Sequence, residues 1–312
     1  MAQANPIVAA PAIESLRDSF LRHLRAENMA TKTISTYGEA VTQLITHLTA
    51  KGMPTDVSSI NREHVESFIE HLLAEWTPST AANRYGGLRA FFKWAVEDGE
   101  IKDSPMAKMR PPKVPEQVVP ILTEQEIERF FKACSGQDYE ARRDLAVMRM
   151  FATTGARKSE IANLRFSPDD PMENDVDLDV GVVRVVGKGG RDRLLPLDPR
   201  TIRAVDRYIR KRASHHSAHL PYLWLGKRGR MTPDGIAQMA MRRAKQAGLT
   251  GFHLHRLRHS FAHFWLASGG GESDLMRIAG WRSRSMLSRY GASAAQERAL
   301  EAAKKFGVGS RL

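Results

Sequence analysis

Five prolines, Pro105, Pro111, Pro112, Pro115 and Pro120, crowd one short stretch of this 312-residue chain and limit how it can fold. Each ring locks φ and removes a backbone donor, so no regular helix or inner strand is expected to run through them. An extended linker is therefore expected over 103–120. It separates a unit at 12–102 from a larger one at 121–312, behind a short flexible N-terminus at 1–11.

The first unit has the periodicity of helices. Ile13, Leu16, Phe20 and Leu24 recur at helical spacing, as do Ile34, Tyr37, Val41, Leu44, Ile45 and Leu48. Asn61 can cap a third helix through Val65, Phe68, Ile69 and Leu72. Thr77-Pro78 is a cap followed by proline at the first helical position, and that fourth helix should stop at Gly99.

The second unit mixes both periods. Thr123 to Glu126 forms a capping box, and a buried helix is expected from about Arg142 to Thr153. An acidic stretch from Ser167 to Val180 lacks the glycine of a calcium loop and is expected to be a solvated loop entering a strand. Val182 to Val186 and Arg193 to Leu197 then form a hairpin around Lys188-Gly189-Gly190. Asp198-Pro199 and Thr232-Pro233 start further helices. The architecture expected is mainly α with a small β-sheet: a helical N-terminal unit and a mixed α/β second unit.

Charge distinguishes the halves. Residues 1–112 hold 12 Lys/Arg against 13 Asp/Glu, which leaves a net +13 for 113–312 out of +12 overall. A basic second unit attracts polyanions, nucleic acid foremost, in a salt-dependent way. No apolar run is long enough for a membrane span, so no membrane partner is expected. The single cysteine, Cys134, sits at helical spacing from Ile127, Phe130 and Phe131 and is read as core. It suits a reducing compartment, and a cytoplasmic location is expected. His215, His216 and His219 lack a partner pattern for zinc, and no metal site is expected.

Chemistry concentrates late in the chain. His255 and Arg258, three residues apart on a helix, share a face from which both can donate to one anion. Arg157 opens another helix after Thr154-Gly155-Ala156, Lys188 stands at the hairpin tip, and Tyr290, nine residues beyond Trp281, carries a hydroxyl able to attack. Arginine's planar fork matches phosphate oxygens and stays charged. Together these residues describe a phosphoryl-transfer site that uses no metal.

In that order and spacing, Arg157, Lys188, His255-x-x-Arg258, Trp281 and Tyr290 resemble the tyrosine recombinase (phage integrase) family over nearly the whole chain. The resemblance implies a helical core-binding domain at 12–102 and a catalytic domain at 121–312 that close around double-stranded DNA. Residues 1–11 are too short for the separate arm-binding domain of some integrases. Tyr290 is the implied nucleophile, joined to the 3′ phosphate, with Lys188 as general acid towards the freed 5′ oxygen. Arg157 and Arg258 stabilise charge on the phosphate, and His255 transfers a proton or bonds the phosphate. Trp281 stands where many relatives have histidine; it can donate one hydrogen bond but cannot act as acid or base. Supporting roles fall to Glu160, pairing with one of the cations, and to His259.

Lys32, Thr33, Ser35, Arg84, Arg89 and Lys93 of the first unit, with Arg242 and Arg243 of the second, are the candidate DNA contacts. Because phosphotyrosine conserves the bond that is broken, no cofactor is expected. The implied assembly is a homo-tetramer on two DNA sites, linked through an alanine-rich C-terminal helix at 293–306, with a directionality protein as a possible accessory and the nucleoid as its place on DNA. Two other readings stay open on residues alone: a type IB topoisomerase-like enzyme, and a non-cleaving DNA-binding protein on the same fold.

Overall fold

The computed structural model describes residues 12–115, 120–187, 190–284, 286–287, 299, 303 and 307. It divides into two compact units, Met1–Glu116 and Gln117–Leu312. The expected flexible N-terminus, Lys188, Tyr290 and nearly all of the expected C-terminal helix lie outside the described residues.

Among the described residues, the first unit contains four α-helices: α1 (Ile13–Ala26), α2 (Thr31–Ala50), α3 (Arg62–Glu75) and α4 (Pro78–Glu97). Their starts follow the caps in the sequence. Asn61 Oδ1 accepts from the His64 amide at 3.2 Å while the Asn61 amide donates to His64 Nδ1, also at 3.2 Å. Thr77 accepts from the Thr80 amide ahead of α4. The helices bury their apolar stripes against one another around Phe20, Phe91 and Trp94, with the Phe20 and Phe91 rings edge to face at 5.5 Å.

Residues 104–109 are not extended, as the proline pattern suggested. They fold back in turns that bury Met106 and pack Met109 on this core, and Tyr85 donates its hydroxyl proton to the Met109 carbonyl at 2.8 Å. Proline blocked helix here, but two methionines still supplied apolar area to bury.

The second unit runs α5 (Glu124–Cys134), α6 (Tyr139–Thr154), α7 (Lys158–Ala162), β1 (Val176–Asp177), β2 (Val182–Val186), β3 (Asp192–Pro196), α8 (Pro199–Arg212), β4 (Leu225–Gly226), β5 (Gly229–Arg230), α9 (Pro233–Gln246), α10 (Leu254–Ala267) and α11 (Glu272–Ala279). The first three strands form an antiparallel sheet in the order β1-β2-β3, with Val183 opposite Leu195 facing the core. Helix α6 begins earlier than its apolar periodicity indicated, because Asp138 caps it by accepting from the Ala141 amide at 2.8 Å. It packs against α5, α8 and α10 at the centre of the unit. Cys134 is buried in this core, and burial pushes its thiol pKa up to about 12. Helix α11 and the hairpin β4–β5 had no sequence signal: both are short, and α11 buries only Leu275 and Ala279.

No described helix is long and apolar enough to cross a membrane.

Candidate active site

The site is assembled where two helices end. Helix α6 stops at Gly155, whose φ of +58° is left-handed, and a Cβ there would come within 2.3 Å of the Phe261 ring. Only glycine fits both conditions. The chain then turns and Arg157 caps α7. Helix α11 ends in the same manner at Gly280, with φ +65°, immediately before Trp281.

Helix C-termini leave carbonyls without partners and carry partial negative charge, so they draw cations. Arg157 and Arg258 are held in this way. Arg258, from α10, donates to the Gly155 carbonyl at 2.5 Å and to the Ala279 carbonyl at 2.7 Å, and is only 2% exposed. Arg157 donates to the next carbonyl, Gly280, at 3.1 Å, while 39% of its side chain remains exposed. The two guanidiniums thus converge on consecutive carbonyls. The Arg258 guanidinium lies 5.4 Å from the centre of the buried Trp281 ring, close enough for a cation–π contact.

Glu160 braces this arrangement from within. It accepts from the Arg157 amide at 2.7 Å and from Arg157 Nη1 at 2.8 Å. Burial alone would raise its carboxyl pKa, but hydrogen bonds from Arg193 and Arg157 outweigh that and hold it below the ordinary carboxylate range. Pairing with a single cation was expected; Glu160 pairs with two. Arg193, on β3, grips both its oxygens at 2.9 and 2.8 Å and donates Nε to the Ile278 carbonyl at 2.8 Å. Arg193 was missed from sequence. Its signal was alternation: it lies two residues before buried Leu195, on the same face of the strand.

His255 shares the face of α10 with Arg258. Part of it reaches solvent, but the protein packed around its ring, and then the charges of Arg258, His253 and Arg157, favour the neutral form and pull its pKa down to about 4. His259 is buried one turn on, its ring edge to face with that of His255 at 4.8 Å. Lys188 is outside the described residues; on either side of it Val186 stands opposite Asp192 and the Gly187 amide donates to the Arg191 carbonyl at 2.8 Å. Tyr290 also lies outside them. The structure therefore brings together Arg157, Glu160, His255, Arg258, His259 and Trp281. Among the described residues no group of His, Cys, Asp or Glu is arranged to hold a metal ion.

The candidate DNA contacts divide. Lys32, Ser35, Arg89, Lys93 and Arg242 are exposed, and Thr33 is half-buried in the first turn of α2. Lys93 also pairs with Glu97 at 3.2 Å. Arg84 and Arg243 have acceptors within the protein. Arg84 donates to Gln43 at 2.9 Å and pairs with Glu39 at 2.6 Å, with 12% of its side chain exposed. Arg243 donates to Asp144 at 2.9 Å and to the Ala133 carbonyl at 3.1 Å. Sequence spacing counts the charge but does not show the acceptor beneath it.

Residues 120–297 match the Phage integrase family, and residues 16–101 match the Phage integrase, N-terminal SAM-like domain. The chain is similar to tyrosine recombinase XerC of Xanthomonas campestris pv. campestris (strain B100), 28% identical over 274 residues that cover 87% of this chain and 82% of the relative. Similarity of 28% over 280 residues, 88% of this chain and 87% of the relative, links it to tyrosine recombinase XerC of Roseiflexus castenholzii (strain DSM 13941 / HLO8). Among solved structures, XerH site-specific recombinase bound to palindromic difH substrate shares the fold with a TM-score of 0.73 at 17% identity, covering 94% of this chain and 84% of that one. A lambda integrase dimer bound to a COC′ core site gives 0.70 at 18% identity, with 90% and 95% covered.

Proposed function

This chain belongs to the phage integrase family, and from that premise we propose that it is a site-specific DNA recombinase working through a covalent 3′-phosphotyrosine. The observation that carries the reading is the convergence of Arg157 and Arg258 on consecutive carbonyls just ahead of Trp281. A phosphodiester under attack gathers charge on its non-bridging oxygens, and preorganised cationic donors are what lower that barrier. Two of the five N–H groups of Arg157 are used within the protein, which leaves its exposed side for a phosphate.

In the proposed reaction the Tyr290 oxygen attacks phosphorus, forming a bond to the 3′ phosphate as the bond to the 5′ oxygen breaks. Lys188, between Gly187 and Gly189 in the sequence, gives that leaving oxygen a proton. Neutral His255 can take the tyrosine's proton or bond the phosphate, and Trp281 can donate a single hydrogen bond. Rejoining is the reverse: a 5′ hydroxyl attacks the phosphotyrosine and releases Tyr290. The number of phosphate ester bonds is unchanged, so the step needs no energy from a nucleotide.

The domain roles follow: 12–102 for DNA binding and 121–312 for catalysis, with Lys32, Thr33, Ser35, Arg89, Lys93 and Arg242 on the backbone. Exchange between two sites calls for a tetramer, which the C-terminal helix would link. The test uses a supercoiled plasmid carrying the DNA that flanks the gene, incubated in EDTA without ATP. Wild type should give discrete recombinants and protein joined to DNA, whereas Tyr290→Phe should bind normally and give neither. Relaxed topoisomers without recombinants would point to a topoisomerase, and covalent capture by Tyr290→Phe would show that another residue is the nucleophile.

A further inference from the structure

The basic excess of the second unit is not spread evenly. Helices α6 and α8 pack antiparallel, tied at one end by Thr153, which donates to Asp198 at 2.5 Å, and at the other by the Tyr139 and Tyr208 hydroxyls at 3.2 Å. Between their outward faces runs a groove of about 260 Å³ into which five arginines project: Arg142 and Arg149 from α6, and Arg200, Arg203 and Arg207 from α8. Leu145 and Ala204 form its apolar floor. Beyond Arg142 and Arg207 it continues into a second hollow of about 660 Å³, bordered by Arg210 and Lys211.

Carboxylates nearby do not neutralise this cluster. None of the five arginines forms an ion pair among the described residues, although Arg210 does, with Asp206 at 2.8 Å. Asp198, whose charge acts on Arg149, is engaged by the Thr153 and Thr201 hydroxyls and by the Arg200 and Thr201 amides. Arg149 lies over the Phe131 ring at 4.6 Å, its pKa lowered by burial and, with Asp198 opposing, by the neighbouring charges of Arg200 and Arg203. Crowding like charges in this way costs stability unless an anion relieves it. Arg200, Arg203 and Arg207 stand on one stripe of α8, spanning about 10 Å at 1.5 Å rise per residue. That reach matches about three phosphates of one strand at 3.4 Å each along the helix axis.

We infer that the groove between α6 and α8 is a second nucleic-acid site, one that takes the phosphate backbone of a duplex at a place separate from Arg157 and Arg258. Forked guanidiniums bond phosphate oxygens in pairs, and a row of them with an apolar floor suits a repeating anion better than a small one. The site recognises charge and spacing and offers little to distinguish bases. A recombinase that holds one duplex for cleavage could use it to retain a flanking or incoming duplex.

The test compares wild type with the triple variant Arg200→Gln, Arg203→Gln, Arg207→Gln, whose three positions are exposed and whose helix propensity is kept. Thermal melting by circular dichroism confirms that the variant folds. Each protein is titrated at low salt with a fluorescent 12-base-pair duplex of arbitrary sequence. Wild type should saturate at two duplexes per chain and the variant at one, and in wild type the weaker equivalent should be lost first as salt rises. With a longer duplex, the slope of log affinity on log salt should fall by roughly 2–3 in the variant. Failure of the recombinase reading would appear as absent covalent product with the loss of one duplex equivalent unchanged. Equal stoichiometry and slope in both proteins would overturn the inference. So would a polyglutamate peptide that binds wild type but not the variant while duplex binding stays the same, since that outcome marks an acidic protein surface as the partner.

Discussion

The two units bury different things. Among the described residues of the N-terminal unit, the buried side chains are apolar except for His47, the hydroxyl of Tyr85 and the indole of Trp94, and none carries a fixed charge. The C-terminal unit buries Arg143, Asp144, Glu160, Arg212, Arg256 and Arg258. The acceptors of these arginines show why: most are carbonyls of irregular backbone or of helix ends. Arg212 ties the segment 218–223 through the carbonyls of Ala218, Leu220, Tyr222 and Leu223, and Arg256 holds the incoming chain at Pro120 and Ile121. A four-helix bundle needs only apolar stripes to lock. A site built from loops needs directional donors, and arginine offers five on a rigid fork.

The sharpest way to break this comparison is to remove one such fork. Arg258→Ala should leave the N-terminal unit unaltered and lower covalent joining to DNA by roughly 10³- to 10⁵-fold, the range for a cation at a transferring phosphoryl group. Arg258→Lys should recover little, because one ammonium cannot span the Gly155 and Ala279 carbonyls as the fork does. Trapping of the protein–DNA product under SDS measures both. A loss under tenfold would mean that Arg258 serves the fold more than the chemistry.

Next in size are two variants matched in cost and different in cause. Phe91→Ala opens a cavity in the apolar core and should cost about 3–5 kcal/mol. Asp144→Asn removes the one carboxylate between Arg143 and Arg243, which it meets at 2.7 and 2.9 Å, and should cost about 3–5 kcal/mol by leaving buried charge uncompensated. Urea unfolding followed separately in each unit should show each variant shifting its own unit's transition. A shared shift would show that the units unfold as one.

These variants also mark what the sequence revealed. The first unit was legible almost to the residue, since caps such as Asn61 and Thr77 and stripes such as Ile13 to Leu24 are local signals. In the candidate site, Arg157, His255, Arg258 and Trp281 stood out by type and order. Arg193 and Asp144 did not, because their meaning lies in partners 33 and 99 residues away, Glu160 and Arg243. The same blindness hid the internal acceptors of Arg84 and Arg243, and it left the arginines of α6 and α8 as separate residues until two helices set them side by side.

Acidity sharpens the comparison from another side. His255 has a folded pKa of about 4, below its usual 6.5, so the unfolded chain binds a proton first as pH falls. Its contribution is complete above 6.5 and declines towards 4. Glu160, held below its usual 4.5, likewise contributes above that value and loses its contribution as pH falls through the lowered one. The C-terminal unit should therefore weaken from pH 6.5 downwards. Covalent joining should show no inflection near 6.5, since folded His255 is neutral on both sides of it. An inflection at 6.5 that vanishes in His255→Gln would mean that the ring titrates freely in the assembled site.

The smallest effect comes from adding one methyl group. Gly99, after α4, and Gly280, after α11, both sit at positive φ, +81° and +65°. Alanine at either should cost about 1–2 kcal/mol from the left-handed backbone alone. A Cβ on Gly99 meets nothing within 4 Å, whereas on Gly280 it would lie 3.1 Å from the Arg193 guanidinium and 3.3 Å from that of Arg157. Gly99→Ala should lower only the melting temperature of its unit. Gly280→Ala should lower stability by a similar amount and also displace both forks by a few tenths of an ångström, which should slow covalent joining by about tenfold, as displaced positioning groups do. Equal activity in the two variants would mean that Arg157 does not depend on the turn before Trp281 for its place.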